Sequence, residues 1–505
     1  MESIRVDETC CGDIQNILPQ PANVLLYDKC RIRCCAVWAA EIPTLDTMNV
    51  VWFEVCPSLY SSCSMVISPN NERRIKGNSS RNSLVLMSLL AISVFCAKAA
   101  DMTTNAPSPA APNSVPGNYR NLFVEAGHSP QETSAKINAT FQQLFHGDPV
   151  RQSVYFPAGT NANGSFAYIY DLANQDVRSE GMSYGMMIAV QLDKKTEFDA
   201  LWNWARTFMY HDSPTHPSSG FFSWSMKTNG MANDEMPAPD GEQYFATALY
   251  FAAARWDNGS GIYNYHAEAD RLLTDMKNRA LITGTTVKGA MTAGAIFTPD
   301  NKLVRFTPDT ANWNHTDPSY QLPAFYELWA QCGPKADRKF WAQAAEASRD
   351  FFQRTANSVT ALTPDYANFD GMPWAAPWNP RSADFQYDAW RTAMNWSVDW
   401  AWWARDARER ELSDRIQLFF ESKGLSNYGS RFTLDGNQLN DDHAIGLVAM
   451  NAVASLAATN PHSQKFVEAL WDTPVPTGQY RYYGGMLYLL AQLHCGGEFK
   501  IWMPK

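Results

Sequence analysis

A helix that is oily on nearly every face is stable only when other helices surround it, and this chain carries several. "FATALYFAAARW" (Phe245–Trp256) and "HAIGLVAMNAVASLAA" (His443–Ala458) are apolar over more than one stripe. From Tyr119 onward helical periodicity dominates, with segments expected near 129–147, 181–192, 194–210, 241–256, 263–281 and 318–332. Further segments fall near 337–355, 388–405, 407–423, 442–459, 464–472 and 482–495. The first opens on Ser129-Pro130, a cap followed by proline in the first turn, and closes at Gly147. About half of these helices read as inner and half as outer, so the expectation is an all-α domain of about twelve helices in concentric rings. No short repeat is visible, which argues against a solenoid. Long aromatic loops such as "SGFFSWSMKTNGM" and "DYANFDGMPWAAPWNP" join the helices.

The first hundred residues differ from this pattern. Eight of the ten cysteines (Cys10, Cys11, Cys30, Cys34, Cys35, Cys56, Cys63 and Cys96) lie there, in no paired zinc spacing. Residues 1–72 read as an upstream extension outside the functional protein. Residues 73–100 follow the plan of a secretory signal peptide. Arg73, Arg74, Lys76 and Arg81 form a basic flank, an apolar run extends from Leu84 to Phe95, and Ala97-Lys98-Ala99 ends it. The run is too short to span a bilayer, so the expected product is secreted or periplasmic, with no membrane attachment in the mature form. Residues 101–117 read as a Pro/Ala/Ser linker and 118–505 as the functional domain.

Three acids share one setting. Glu180 precedes "GMSYGMMIAV", Asp240 precedes "GEQYFATALYFAAARW", and Asp388 starts "AWRTAMNWSVDWAWW". If the inner helices run the same way, these acids converge at one end of the bundle. A lone acid in a first turn complements the helix dipole. Three among aromatics point to paired-carboxylate chemistry, in which one acid keeps its proton and another stays ionised. Arg391, at i+3 from Asp388, shares its face.

The formal charge of −10 leaves no basic face for nucleic acid. Nine histidines show no HExxH or similar ligand spacing, so no metal or cofactor is expected. The 18 Trp and 21 Tyr suit stacking on sugar rings, although large helical cores also use many aromatics.

"SEGMSYGMM", "APDGEQYFATALYFAAARW", "TDPSYQLPAFYE", "YDAWR" and "YRYYGGMLYLLAQLHCGGEF" resemble glycoside hydrolase family eight, in order over about 119–505. Pro239 and Glu242 depart from that family's signature at the second of these stretches, where Ser/Thr and Asp are usual. The resemblance is strongest to the xylan-acting members, which include reducing-end xylose-releasing exo-oligoxylanases. It implies an (α/α)6 barrel and an inverting mechanism. It assigns Glu180 as general acid, Asp388 as general base and Asp240 as the grip on the distorted sugar. Trp224, Tyr387, Arg391, Tyr480 and Tyr483 match cleft-lining positions, and His443 matches a loop histidine that blocks the leaving-group side in exo-acting relatives. The implied partner is a xylo-oligosaccharide or xylan, bound by a monomer. Endoxylanase, endoglucanase and chitosanase activities share this scaffold. The non-enzyme alternative is a helical carbohydrate-binding protein, which has no need of a proton donor.

Overall fold

The computed structural model describes residues 119–504. The extension, signal peptide and linker expected at 1–117 lie outside the described residues. Thirteen α-helices are present among those described. After a single-turn helix α1 (Leu122–Glu125), outer and inner helices alternate around a ring. They are α2 (Pro130–His146), α3 (Ser179–Gln191), α4 (Lys195–Trp204), α5 (Pro239–Trp256), α6 (Tyr265–Asn278), α7 (Pro323–Cys332) and α8 (Arg338–Thr355). The series continues with α9 (Trp390–Trp403), α10 (Arg408–Lys423), α11 (Ile445–Val453), α12 (Ser463–Asp472) and α13 (Arg481–Cys495). This is the (α/α)6 barrel, with α3, α5, α7, α9, α11 and α13 inside.

Burial follows the residue pattern. In α5 every residue from Pro239 to Ala254 is buried. In α8 burial falls on one stripe that includes Trp341, Ala344, Ala345, Ser348, Phe351 and Phe352. The inner helices pack in sequence: α3 on α5, α7 on α9, α9 on α11, α11 on α13, and α13 back on α3. Polar contacts join α5 to α7, where Trp329 Nε1 donates to Thr247 Oγ1 at 3.1 Å and Tyr326 OH to Gln243 Oε1 at 2.6 Å. The Ser129 cap forms the reciprocal pair its position promises. Glu132 N donates to Ser129 Oγ at 3.1 Å, and Ser129 N donates to Glu132 Oε2 at 2.8 Å.

The domain also contains strands that the periodicity did not announce. A hairpin pairs β1 (Tyr155–Asn161) with β2 (Gly164–Ile169). A small sheet runs β3 (Val177–Arg178), β4 (Ser225–Met226), β5 (Ala232–Asp234). A second hairpin joins β6 (Ile282–Thr286) to β7 (Gly289–Ala293). In the middle sheet the strands are two or three residues long, below the length at which alternation becomes visible. Some helices start later than expected. The segment expected from 318 is a 3-10 turn over Pro318–Tyr320, and α7 begins only at Pro323, proline being favoured in a first turn. The segment expected from 388 likewise begins as a 3-10 turn, Tyr387–Ala389. The segment expected at 194–210 leaves the α-helix at Trp204 and ends in a π turn, Ala205–Met209. Among the described residues no helix is long and apolar enough to cross a membrane.

Candidate active site

The sheet β3–β4–β5 sets the entry to α3. Ser179 N donates to Trp224 O at 3.0 Å, so the backbone of the long aromatic loop fixes the residue just before Glu180. Two glycines let the neighbouring helix starts approach. A Cβ on Gly241 would lie 2.7 Å from Ser179 Oγ, and one on Gly181 would lie 2.6 Å from the Tyr482 ring. Tyr482 OH donates to Glu180 Oε1 at 2.8 Å. Gly181→Ala is therefore expected to push Tyr482 off Glu180. Activity should fall at least tenfold, about the size of one lost charge-assisted hydrogen bond. Steady-state kinetics beside a thermal melt check this, since a fold defect would lower the melt in proportion.

Arg391 organises the acids. Its side chain is buried in the first turn of α9. Nη1 donates to Glu180 Oε2 at 3.0 Å, Asp240 Oδ2 at 2.8 Å and Tyr184 OH at 2.6 Å. Nη2 donates to Ser319 Oγ at 3.0 Å and pairs with Asp388 Oδ1 at 3.0 Å. The three expected carboxylates thus meet on one guanidinium. The i+3 spacing of Asp388 and Arg391 supplies one of these pairs; the others come from α3 and α5.

The acids are not equivalent. The Asp388 side chain is 31% accessible, whereas those of Glu180 and Asp240 are 14% and 5%. Burial pushes Glu180 up to about 7; Arg391 opposes the shift, and Asp240 and Asp388 add to it. Burial also raises Asp240, against the pull of Arg391. A buried acid that keeps its proton near neutrality therefore shares Arg391 with a more accessible carboxyl group, an asymmetry that general acid–base catalysis can use. Tyr387, the residue before Asp388, has a φ of +26°, a strained conformation for a side chain other than glycine. Tyr483 OH holds it, donating to Tyr387 O at 3.0 Å and lying 3.3 Å from Asp388 Oδ1.

A cavity of about 880 Å³ opens on this cluster, within the range of ligand clefts. Its walls include Glu180, Tyr387, Asp388, Tyr480, Tyr482 and Tyr483, with Asp442, the 444–446 stretch and the 474–477 stretch. Arg391 lies beneath the cluster, not in the wall. Trp224 also stands outside it, with its ring 5.6 Å from the guanidinium of Arg178, itself a wall residue. The exposed His443 ring turns to its own loop. Nδ1 donates to Tyr428 O at 2.9 Å and the ring meets Tyr428 edge-on, while Asp442 and Ala444 on either side line the cavity.

Sequence reasoning missed Tyr184, Tyr482 and two buried acids. Asp317 accepts Ser319 N at 2.7 Å and so sets the turn that clamps Arg391. Asp365 accepts Gln386 Nε2 at 2.8 Å and Ala389 N at 3.1 Å, bracing the turn that carries Asp388. Burial, with Asp388 adding to it, pushes both well above the usual carboxylate range. Asp317 stands in "TDPSYQLPAFYE", but nothing local to that stretch reveals its burial.

Glu242, one of the two departures from the family signature, is fully buried without a cation. Its Oε1 accepts Phe222 N at 3.1 Å, and burial pushes it up to about 8. The folded state holds this proton across a range where the unfolded chain has released it. Stability from this residue is full below the ordinary glutamate range and is lost as pH rises through about 8. Glu242→Gln should flatten that decline, measured as the change in urea midpoint between pH 5 and pH 8.5. An unchanged slope would contradict the buried-acid assignment.

Among the described residues one group, His211, His216 and Glu235, brings metal-type ligand atoms within 4.8 Å of one another. Its geometry is that of hydrogen bonding. His216 Nδ1 accepts from Ser218 N at 3.1 Å, which leaves the ring proton on Nε2, 3.6 Å from Glu235. The two imidazoles stack face to face at 4.0 Å. Neither arrangement presents two in-plane lone pairs to one ion.

The sequence pattern of the glycosyl hydrolases family 8 matches residues 169–497. The reducing-end xylose-releasing exo-oligoxylanase Rex8A of Paenibacillus barcinonensis is 41% identical over 388 residues, covering 76% of this chain and 97% of the relative. Two solved structures from Teredinibacter turnerae are a GH8 xylobiose complex and a GH8 catalytic-mutant xylanase with xylohexaose. Each is 58% identical and superposes with a TM-score of 0.76 over 76% of this chain and 98% of that one. Endoglucanase 2 of Ruminiclostridium josui is more distant, at 26% identity over 433 residues, covering 84% of each chain. With three carboxylates on one guanidinium at the mouth of an (α/α)6 barrel, and these matches across the body of the chain, the protein belongs to the glycosyl hydrolases family 8.

Proposed function

We propose that this enzyme hydrolyses β-1,4-xylosidic bonds in xylo-oligosaccharides and xylan with inversion at the anomeric carbon. Glu180 protonates the leaving oxygen, Asp388 activates the attacking water, and Asp240 holds the sugar at the cleavage point. The observation that carries this reading is the buried Glu180, pushed up to about 7, linked through Arg391 to the more accessible Asp388. A binding protein gains nothing from a carboxyl kept protonated at neutral pH. The likeness to xylan-acting proteins supports the sugar, and the greater distance of the endoglucanase supports xylan over glucan. The expected protein is a monomer, exported through the 73–100 segment and processed near Ala100. N-terminal sequencing of secreted protein tests the processing.

Where the chain is cut turns on the loop 440–444. Release of xylose from the reducing end, the activity that Rex8A is named for, needs a plug that leaves room for one sugar beyond the cleavage point. Internal cleavage is the second reading. It is favoured by the tie of His443 to Tyr428 O, which turns the ring to its own loop, and by the likeness to a xylanase that holds xylohexaose. Product analysis on reducing-end-labelled xylo-oligosaccharides separates them. The exo reading expects labelled xylose from every length and little viscosity loss in polymeric xylan. The endo reading expects rapid viscosity loss and mixed labelled products. Failure to cleave any xylo-oligosaccharide would overturn both.

A further inference from the structure

A series of aromatic rings leads from Tyr320, in the turn that holds Arg391, to a loop that the catalytic account does not use. The Arg391 guanidinium carbon lies 5.7 Å from the Tyr320 ring centre. Tyr320 lies 6.1 Å from Phe306 and nearly parallel to it, at 7°. Phe306 meets Tyr366 at 4.5 Å, Tyr366 meets Trp374 at 6.3 Å, and Trp374 meets Trp378 at 5.5 Å. Exposure rises along the series. Tyr320 is buried, the next three rings are half-buried, and Trp378 is 54% exposed. None of these rings belongs to the 880 Å³ cavity.

The loop that carries the two tryptophans is braced. Trp374 N donates to Tyr366 O at 2.9 Å, and Asn379 N donates to Ala376 O at 3.0 Å. Ser382 Oγ receives Ala376 N and donates to Trp374 O, both at 2.9 Å. Ala367 bridges to Thr316 on one side and to Pro373 on the other. Below the loop, the His315 ring lies against Trp374 at 3.8 Å, and burial pushes it down to about 4, so this floor is uncharged near neutrality. The nearby charges, Arg381 and Asp384, pair with each other at 3.0 Å. A tryptophan held half out of the fold by a fixed turn forgoes the burial that so large an apolar face would gain by packing inward. What it offers instead is a flat apolar face with a polar edge, matched to the C–H face of a neutral sugar.

We infer that Trp374 and Trp378 form a distal sugar-stacking platform for xylosyl units of the same chain that is cut at the Arg391 cluster. Continuity of the rings from Tyr320 to Trp378 carries this inference, which rests on the xylan reading above. The platform acts on long substrates and acts through binding. Removing it therefore weakens xylohexaose and polymeric xylan more than xylotriose, and shows in KM more than in kcat.

The test compares the parent, Trp378→Ala and Trp378→Phe on xylotriose through xylohexaose. In Trp378→Ala the ratio of kcat/KM for xylohexaose over that for xylotriose is expected to fall about fivefold, the size of one aromatic stacking contact, with Phe restoring most of it. Equal losses at every chain length, or none at any, would overturn the platform. Affinity electrophoresis in xylan gels reads binding without turnover. Placed in a Glu180→Gln background, Trp378→Ala should reduce retardation by the xylan, and unchanged retardation overturns the platform while leaving the catalytic reading intact. A parent that turns over no xylo-oligosaccharide overturns the xylan reading instead.

Discussion

Glu180→Gln is expected to lower kcat on xylo-oligosaccharides by roughly 10²–10⁴-fold, the contribution of a positioned general acid. The amide oxygen can still accept from Arg391 Nη1, which lies 3.0 Å from Oε2, while the amide NH2 replaces Oε1 and can donate to the Tyr482 hydroxyl 2.8 Å away, so the fold and the sugar-binding walls should survive. The loss should depend on the leaving group. A substrate whose departing oxygen needs no proton, such as an activated aryl glycoside, should retain most of its rate. In the parent, kcat/KM should fall as pH rises through about 7, because the acid must enter protonated and burial has pushed it to that value. That basic limb should be missing from Glu180→Gln on the activated substrate. An equal loss on both substrates would mean that Glu180 shapes the site instead of donating a proton.

Arg391→Gln is expected to damage both rate and stability. Three carboxylates pair with this buried cation, and removing one partner of a buried ion pair typically costs about 3–5 kcal/mol. The sign of the pH effect follows from the same contacts. Without the cation the remaining acids sit higher in the folded protein than in the unfolded chain, so the variant gains stability as pH falls and they take up protons. Urea unfolding at pH 5 and pH 7.5 should therefore show a larger deficit at the higher pH. Arg391 also holds Glu180 down, so any residual activity should keep its basic limb at a higher pH than the parent. A deficit independent of pH would place the role of Arg391 in packing alone.

What could be read from the chain and what could not divide along physical lines. Glu180, Asp240 and Asp388 were visible because each stands at the start of an oily helix, a local signal. The Asp388–Arg391 pair was visible through its i+3 spacing. The two further carboxylates on Arg391 were not, since α3 and α5 reach it only through the closed ring of inner helices. Asp317 and Asp365 brace their turns from loops, where no periodicity marks burial. The ring of helices followed from residues oily on every face, while the short β3–β4–β5 sheet, whose middle strand lies in "SGFFSWSMKTNGM", stayed hidden because two or three residues carry no period. The aromatic expectations divide in the same way. Tyr387, Tyr480 and Tyr483 line the cavity from positions beside helix starts, whereas Trp224 and His443 lie on loops whose backbone, not whose pattern, decides where the rings point.

The configuration of the newly formed sugar tests the central claim most directly, because it depends on Asp388 delivering water to the face opposite the proton donated by Glu180. Proton NMR taken during the first turnovers of a β-linked xylo-oligosaccharide should show the α-anomer first, with β appearing only as mutarotation proceeds. Appearance of the β-anomer first would mean retention through a covalent intermediate, and would contradict the assignment of Asp388 as a base acting on water.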